Sequence, residues 1–354
     1  MSAASQQLPP AAEPDYLTDV LRRCGALAAG RVADVAIEST RGTILSQILR
    51  LRLNYDDAER TAPPSLILKT RLLSRGEGPG HGGRQEVAFY KDVAAAMPSG
   101  FVPRFFDGHW DANTGGWYLL LEDLTDTHTS PQGWPLPPSF AENRKIIAAR
   151  ARFHAHWWDD PRLGISIGNW LDPADPQLEE FAAVLARFAD RVGEHLSPER
   201  HDLYRRLIDA GHRLNARYHT HRHMTLIQGD SHVWNAFLPR DEDSDDVRLF
   251  DWDCWRVDVA TDDLAYMMAL QWYPDHRRRW ERPLLDHYHA ALSASGVRGY
   301  DRRVLDDDYR LSVLWQIATP VWQAMNDIPG WIWVPNLERI FTAVDDLGCQ
   351  ELLR

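Results

Sequence analysis

The segment 226–253, LIQGDSHVWNAFLPRDEDSDDVRLFDWD, constrains the fold most strongly. Its order is a short strand, a polar turn bearing Asp230 and Asn235, an apolar strand at 236–238, an acidic hairpin turn, and a second apolar strand at 247–250 ending in Asp251. A hairpin of this kind brings Asn235 and Asp251 near each other although 16 positions separate them. One carboxylate and one amide oxygen make a suitable partial shell for Mg²⁺, which takes oxygen ligands and retains waters or phosphate oxygens. Asp230, displaced from that pair, is suited to orient a hydroxyl and receive its proton during phosphoryl transfer. The same three residues have a plainer reading, because Asp and Asn are common in turns for local hydrogen-bonding reasons.

The rest of the chain supplies a β-rich part followed by a helical part. Residues 16–27 have helical spacing of apolar residues. From 32 to 73 the pattern turns β-like in three runs, with turns at 54–57 and at Pro63-Pro64. GEGPGHGG, 76–83, reads as a flexible connection, and RQEVAFYKDVAAAM then has a helical period until Pro98 stops it. Two further strands are expected at 105–110 and 116–121. Helices are expected at 140–158, 175–191, 198–219, 261–270, 277–293, 306–325 and 336–347, with a short β interlude at 225–251. All 15 tryptophans lie between Trp110 and Trp333, and the Thr-, Gly- and Pro-rich run TDTHTSPQGWPLPP marks a boundary region.

Composition narrows the functional classes. Acidic residues exceed basic ones, 51 to 39, for a net charge of −12, so the overall field disfavours nucleic acid and anionic lipid as partners. Three widely spaced cysteines, Cys24, Cys254 and Cys349, form neither a disulfide scaffold nor a zinc knuckle, and no histidine spacing completes a zinc set. The first 15 residues lack a basic start followed by an apolar stretch, and no window approaches 18 uninterrupted apolar residues. The expectation is a cytoplasmic protein with no membrane partner.

A second block has spacing that suits phosphate chemistry. Lys69 ends the apolar run Leu66-Ile67-Leu68, and Glu86 follows 17 positions later in a helical segment. A strand lysine can contact the α- and β-phosphates of a nucleotide while a helix glutamate fixes its ammonium group. A solvated lysine and a glutamate favoured by the helix dipole are the simpler alternative.

Taken together, these segments resemble the aminoglycoside phosphotransferase and choline-kinase-like superfamily, whose members share a protein-kinase-like fold. The family signature is similar to His-Gly-Asp-x-x-x-x-Asn, then a strand and Asp-Trp-x; here it reads Gln228-Gly229-Asp230-Ser231-His232-Val233-Trp234-Asn235, then Phe250-Asp251-Trp252-Asp253. The Glu86-x-x-Phe89-Tyr90 pattern resembles the ecdysteroid-kinase-like branch of small-molecule kinases. The resemblance spans roughly residues 35 to 270. It implies an α+β, bilobal protein-kinase-like fold with a five-stranded antiparallel N-terminal lobe at 1–123 and a mainly helical C-terminal lobe at 124–354.

The resemblance further implies ATP and Mg²⁺ as cofactors, and a small-molecule hydroxyl as acceptor. Asp230 corresponds to the catalytic aspartate, Asn235 and Asp251 to the metal ligands, and Lys69 with Glu86 to the phosphate-holding pair. Gly42, Thr43 and Ser46 fall where a nucleotide-covering loop is expected, without the full glycine-rich pattern. Leu121 and Glu122 fall at the expected adenine-binding hinge, which the plainer reading makes an edge strand ending in acidic residues. His154 is expected to support the catalytic loop and Asp263 to stabilise the lobe that carries it. Gln228 stands where the family usually has His; as a side chain that both donates and accepts hydrogen bonds, it can serve a supporting role. The acceptor class is open among antibiotics, sugars, amino alcohols and sterol-like alcohols. The alternative function is a nucleotide-binding kinase-like protein with weak or no catalysis, acting as an interaction module.

Overall fold

The computed structural model describes residues 8–44, 46–57, 61–72, 81–131, 133–172 and 177–354. The chain divides into two compact units, one formed by residues up to 129 together with 239–254, the other by 130–238 and 255–354.

Alternation builds the first unit. In β2 (Ser46–Asp56), Leu49, Leu51 and Leu53 are buried, while Arg50 and Arg52 between them ion-pair with Asp123 and Glu38. β2 lies antiparallel between β1 (Arg31–Gly42) and β3 (Ser65–Arg71), with Leu51 opposite both Ile37 and Leu66. β3 pairs in turn with β5 (Trp117–Glu122), whose other neighbour is β4 (Phe105–Trp110), giving a five-stranded antiparallel sheet of order β1-β2-β3-β5-β4. Helix α1 (Pro14–Arg23) adds Leu17, Val20 and Leu21 to the leucine core of this sheet. It stops four residues before the expected 27 because the chain turns at Gly25, whose φ of +70° favours glycine.

Helix α2 (His81–Ala88) continues as a π-helical turn, Phe89–Val93, and a short 3-10 turn, Ala94–Ala96, before Pro98. Of the expected flexible connection, 76–80 lies outside the described residues and 81–83 already belongs to α2. The segment 239–254 is tied to this unit by backbone hydrogen bonds from Arg240 to Thr127 and from Leu249 to Phe101, each 2.9 Å.

The second unit is mainly helical: α3 (Phe140–His156), α4 (Gln177–Val192), α5 (Pro198–Asn215), α6 (Thr261–Leu264), α7 (Pro274–Ala294), α8 (Arg302–Trp315), α9 (Ala318–Met325) and α10 (Gly330–Asp346). Capping fixes several starts, most fully at α3, where Ser139 and Glu142 form a reciprocal capping box. The single helix expected over 306–325 is two, α8 and α9. Pro320 has no N–H, and its ring would clash with the carbonyl of residue 316 in a continuous helix. The segment expected at 198–219 is helical only to Asn215 before a short turn, and the last helix begins at Gly330, six residues earlier than expected.

The strand Thr225–Ile227 pairs antiparallel with Arg256–Asp258 and so brackets the candidate catalytic loop. Trp157, Trp272, Tyr204, Tyr288, Tyr309 and Phe188 are fully buried in this unit, each worth roughly 1.5–3 kcal/mol as buried apolar surface.

Candidate active site

In the first unit, β3 carries a buried Lys69 after the buried Leu68, opposite Leu119 of β5. Lys69 Nζ lies 2.7 Å from Glu86 Oε2 on α2 and 2.6 Å from Asp251 Oδ1. Burial alone would favour the neutral amine, but Asp251 and Glu86 outweigh it and hold Lys69 well above the ordinary lysine range. Glu86, almost wholly buried, is pushed up by desolvation against the pull of Lys69 and a hydrogen bond from the Trp252 backbone.

Two aromatic contacts fix this triad. The Trp252 ring, fully buried, stacks on Phe89 at 4.0 Å and 3° between planes, and its Nε1 donates to the Leu249 carbonyl at 3.2 Å. The Glu86-x-x-Phe89 spacing therefore places the lysine's partner and the anchor of the Asp251-Trp252 pair on one helical stretch. Asp251 itself has φ +66°, in the left-handed region that Asp tolerates better than most residues. Trp117 of β5 lies 6.0 Å from Lys69 Nζ and packs against Gly83 of α2, where a Cβ would overlap the indole.

In the second unit, the candidate catalytic loop hangs from a buried hub. On one face of α3, Arg150 and His154 are an i, i+4 pair, both fully buried. Arg150 Nη1 donates to Asp263 Oδ2 at 2.7 Å and to Gln228 Oε1 at 3.0 Å, and its Nη2 donates to the Ser231 carbonyl at 3.0 Å. Asp263 also accepts from the backbone N–H groups of Gln228 (3.1 Å) and Gly229 (2.9 Å), and lies 3.2 Å from His154 Nε2. Burial would raise Asp263, but Arg150, His154 and the Gln228 N–H hold it well below the usual carboxylate range. Burial also lowers His154, so its imidazole is neutral: Nε2–H donates to Asp263 while Nδ1 accepts from Tyr288 Oη at 2.8 Å. Gln228 uses both ends of its amide, accepting from Arg150 and donating through Nε2 to the Asn235 carbonyl at 3.5 Å.

Asp230 is 28% exposed at its side chain. Its Oδ1 accepts from Tyr266 Oη at 2.6 Å and its Oδ2 from Asn235 Nδ2 at 3.3 Å, with His232 Nε2 at 3.6 Å. Asn235 Nδ2 also donates to the Asp230 carbonyl at 2.8 Å, which makes its Oδ1 the atom suited to a cation. Each taken within its own unit, the Asn235 amide oxygen and the part-exposed Asp251 carboxylate are hard oxygen donors, of the kind Mg²⁺ takes and a soft metal does not. Among the described residues no group of three or more His, Cys, Asp or Glu side chains could by itself hold a metal.

An aromatic run extends from this loop. His232 lies 5.6 Å from Trp234, Trp234 6.3 Å from Trp134, and Trp134 meets Trp331 edge-on at 5.0 Å. Trp134 and Trp331 are about half exposed, at 49% and 58%.

The other sequence-derived positions divide. Thr43 and Ser46 bond to each other through their hydroxyls at 2.9 Å, closing the β1–β2 turn after Gly42. Leu121 is a buried residue of β5 opposite Ile67, and the Glu122 N–H donates to the Arg104 carbonyl at 2.8 Å. Arg150 and Tyr266 were not singled out by sequence reasoning. A charged residue at an i−4 position from His154, on a helix face that is otherwise apolar, was the available signal for Arg150.

The five-stranded antiparallel sheet followed by a helical unit is the fold of the small-molecule kinases, in agreement with the resemblance carried by the motifs. The model of the ecdysteroid kinase-like family matches residues 169–296, a stretch containing Asp230, Asn235, Asp251 and Asp263. Among solved structures, a candidate aminoglycoside phosphotransferase from Ralstonia eutropha JMP134 superposes with a TM-score of 0.58 at 12% identity, covering 96% of this chain and 98% of the other. Choline kinase from Cryptosporidium parvum Iowa II gives 0.55 at 9% identity, covering 90% and 91%. An ADP-bound aminoglycoside phosphotransferase, APH(2'')-Ib, gives 0.50 at 10% identity, covering 89% and 94%. No curated protein sequence matches the chain. No helix among the described residues is long and apolar enough to cross a membrane.

Proposed function

We propose that this chain is an ATP-dependent O-phosphotransferase that moves the γ-phosphoryl group to a hydroxyl of a small molecule. The observation that carries the reading is the buried Lys69 ammonium held between Glu86 and Asp251, 17 and 182 positions away. A buried cation shared by two carboxylates is costly to assemble for stability alone, and it suits a site that binds polyphosphate.

In this reading Lys69 holds nucleotide phosphates, and Glu86 keeps its ammonium in place. Asp251 and Asn235 would hold Mg²⁺, which when bound offsets charge developing on the phosphate oxygens. Asp230 orients the acceptor hydroxyl and takes its proton as the new O–P bond forms and the bond from the γ-phosphorus to the bridging oxygen breaks, releasing ADP. Gly42, Thr43 and Ser46 would cover the nucleotide, and the backbone near Leu121 and Glu122 would meet its base. Trp134, Trp234 and Trp331 would give the acceptor an apolar wall beside Asp230, since indole faces suit the flat side of a ring.

The weakly catalytic alternative rests on Gln228 in place of His and on the incomplete glycine-rich pattern around Gly42. The side-chain hydrogen bonds of Gln228 to Arg150 and to the Asn235 carbonyl keep the loop braced and favour the active reading. Calorimetric titration with ATP, with and without Mg²⁺, tests the nucleotide half. Asp251→Ala should weaken Mg²⁺-dependent binding, and an undiminished metal dependence in that variant argues against the assignment.

A further inference from the structure

Resting on the phosphotransfer reading, we propose that Tyr266 is a positioning residue for Asp230: its hydroxyl pins one carboxylate oxygen so that the other is presented to the acceptor. Three independent features of the fold converge on this residue.

From Val259 to Trp272 every residue is buried except Tyr266. A tyrosine that alone breaks a fourteen-residue buried run is directed at something, and its Oη donates to Asp230 Oδ1 at 2.6 Å across 36 positions. The segment that carries it, Ala265–Leu270, is a π-helical continuation of α6. Such wide turns are rare and tend to occur at functional sites, because they re-aim a side chain relative to the preceding helix. Finally, α6 holds Asp263, the acceptor for the Gln228 and Gly229 N–H groups, so the residue that grips the loop and the residue that grips Asp230 are three positions apart on one element.

The terminal torsion of an aspartate is broad and roughly two-fold, so a part-exposed Asp230 would otherwise sample many carboxylate planes. A short O–H···O⁻ bond on Oδ1 together with the weaker amide bond on Oδ2 at 3.3 Å defines one plane. The acceptor proton passes to Oδ2 as the O–P bond forms; Tyr266 keeps its own proton throughout and contributes geometry.

The test uses the full chain with Mg·ATP and water as the phosphoryl acceptor, so no acceptor need be known. Wild type, Asp230→Asn and Tyr266→Phe are compared, with kcat expressed per AMP-PNP binding site so that unfolded chain does not count. Tyr266→Phe should lose about 10- to 100-fold in kcat with KM for ATP unchanged, the signature of misplacement rather than lost binding. Wild-type kcat in Tyr266→Phe, alongside a fallen Asp230→Asn, overturns the role of Tyr266 and leaves the phosphotransfer reading intact. Wild type no faster than Asp230→Asn overturns the phosphotransfer reading and this role with it.

Discussion

Lys69 Nζ and Asp251 Oδ1 lie 2.6 Å apart although 182 positions of chain separate them. The contact exists because 239–254 returns to the first unit after the chain has built much of the second, and because Trp252 stacks on Phe89, three residues after Glu86. Removing the ammonium leaves the two carboxylates facing each other without compensation. Lys69→Met is therefore expected to lower nucleotide-dependent turnover by about a hundredfold or more while the chain still folds around a chemically neutral stem. A coupled ADP assay beside a melting curve checks it; unchanged turnover would remove Lys69 from the site.

Gly83 sits where a Cβ would overlap the Trp117 indole. Gly83→Ala should displace α2 from β5, cost about 1–3 kcal/mol, and weaken nucleotide binding by shifting Glu86 away from Lys69. Denaturant unfolding and a nucleotide titration of the same variant read the two effects separately. Combining it with Trp117→Leu should recover part of both losses if the overlap is the cause.

His154 is lowered in the fold by burial, so the unfolded chain takes up its proton first as pH falls. The folded pKa is depressed below the unfolded value of about 6.5, so stability is complete above that pH and declines as pH drops beneath it, by at most about 1.4 kcal/mol per pH unit. His154→Gln keeps a donor toward Asp263 and removes the titration. Between pH 7 and 5.5 its melting temperature should fall less than that of wild type; equal falls would place the pH sensitivity elsewhere.

The motifs drew attention to Asp230, Asn235 and Asp251 through the turn and strand-end pattern around them, and to Lys69 and Glu86 through an apolar strand and a helical segment 17 positions apart. The five strands were legible for the same reason: alternation such as Leu49, Leu51 and Leu53 admits only one buried face. The hub at Asp263 was only half legible. Asp263 and His154 belong to recognisable motifs, but Arg150 reaches Asp263 through a contact spanning 113 positions, which no local period encodes. Tyr266 was invisible because helical spacing assumes 3.6 residues per turn, and the π-helical stretch 265–270 departs from it. The break before Pro320 is readable in the sequence, because apolar spacing runs on through 306–325 while the proline forbids a continuous helix.

Trp134 and Trp331, each about half exposed, meet edge-on in a run that reaches Asp230 through Trp234 and His232. Exposed aromatics contribute little to folding, so Trp134→Ala and Trp331→Ala should melt within about 0.5 kcal/mol of wild type. They should raise KM for a ring-bearing acceptor several-fold and leave KM for ATP alone. Equal acceptor KM values in both variants would remove these tryptophans from the acceptor wall.

The central claim is phosphotransfer through Asp230, and ADP release with Mg·ATP across a panel of aminoglycosides, macrolides, amino alcohols, sugars, nucleosides and sterol-like alcohols tests it most directly, with product detected by mass spectrometry. The account predicts acceptor-dependent ADP release, a phosphorylated product, and loss of about 10²- to 10⁴-fold in Asp230→Ala with ATP affinity retained. Acceptor-dependent release that survives unchanged in Asp230→Ala would contradict it.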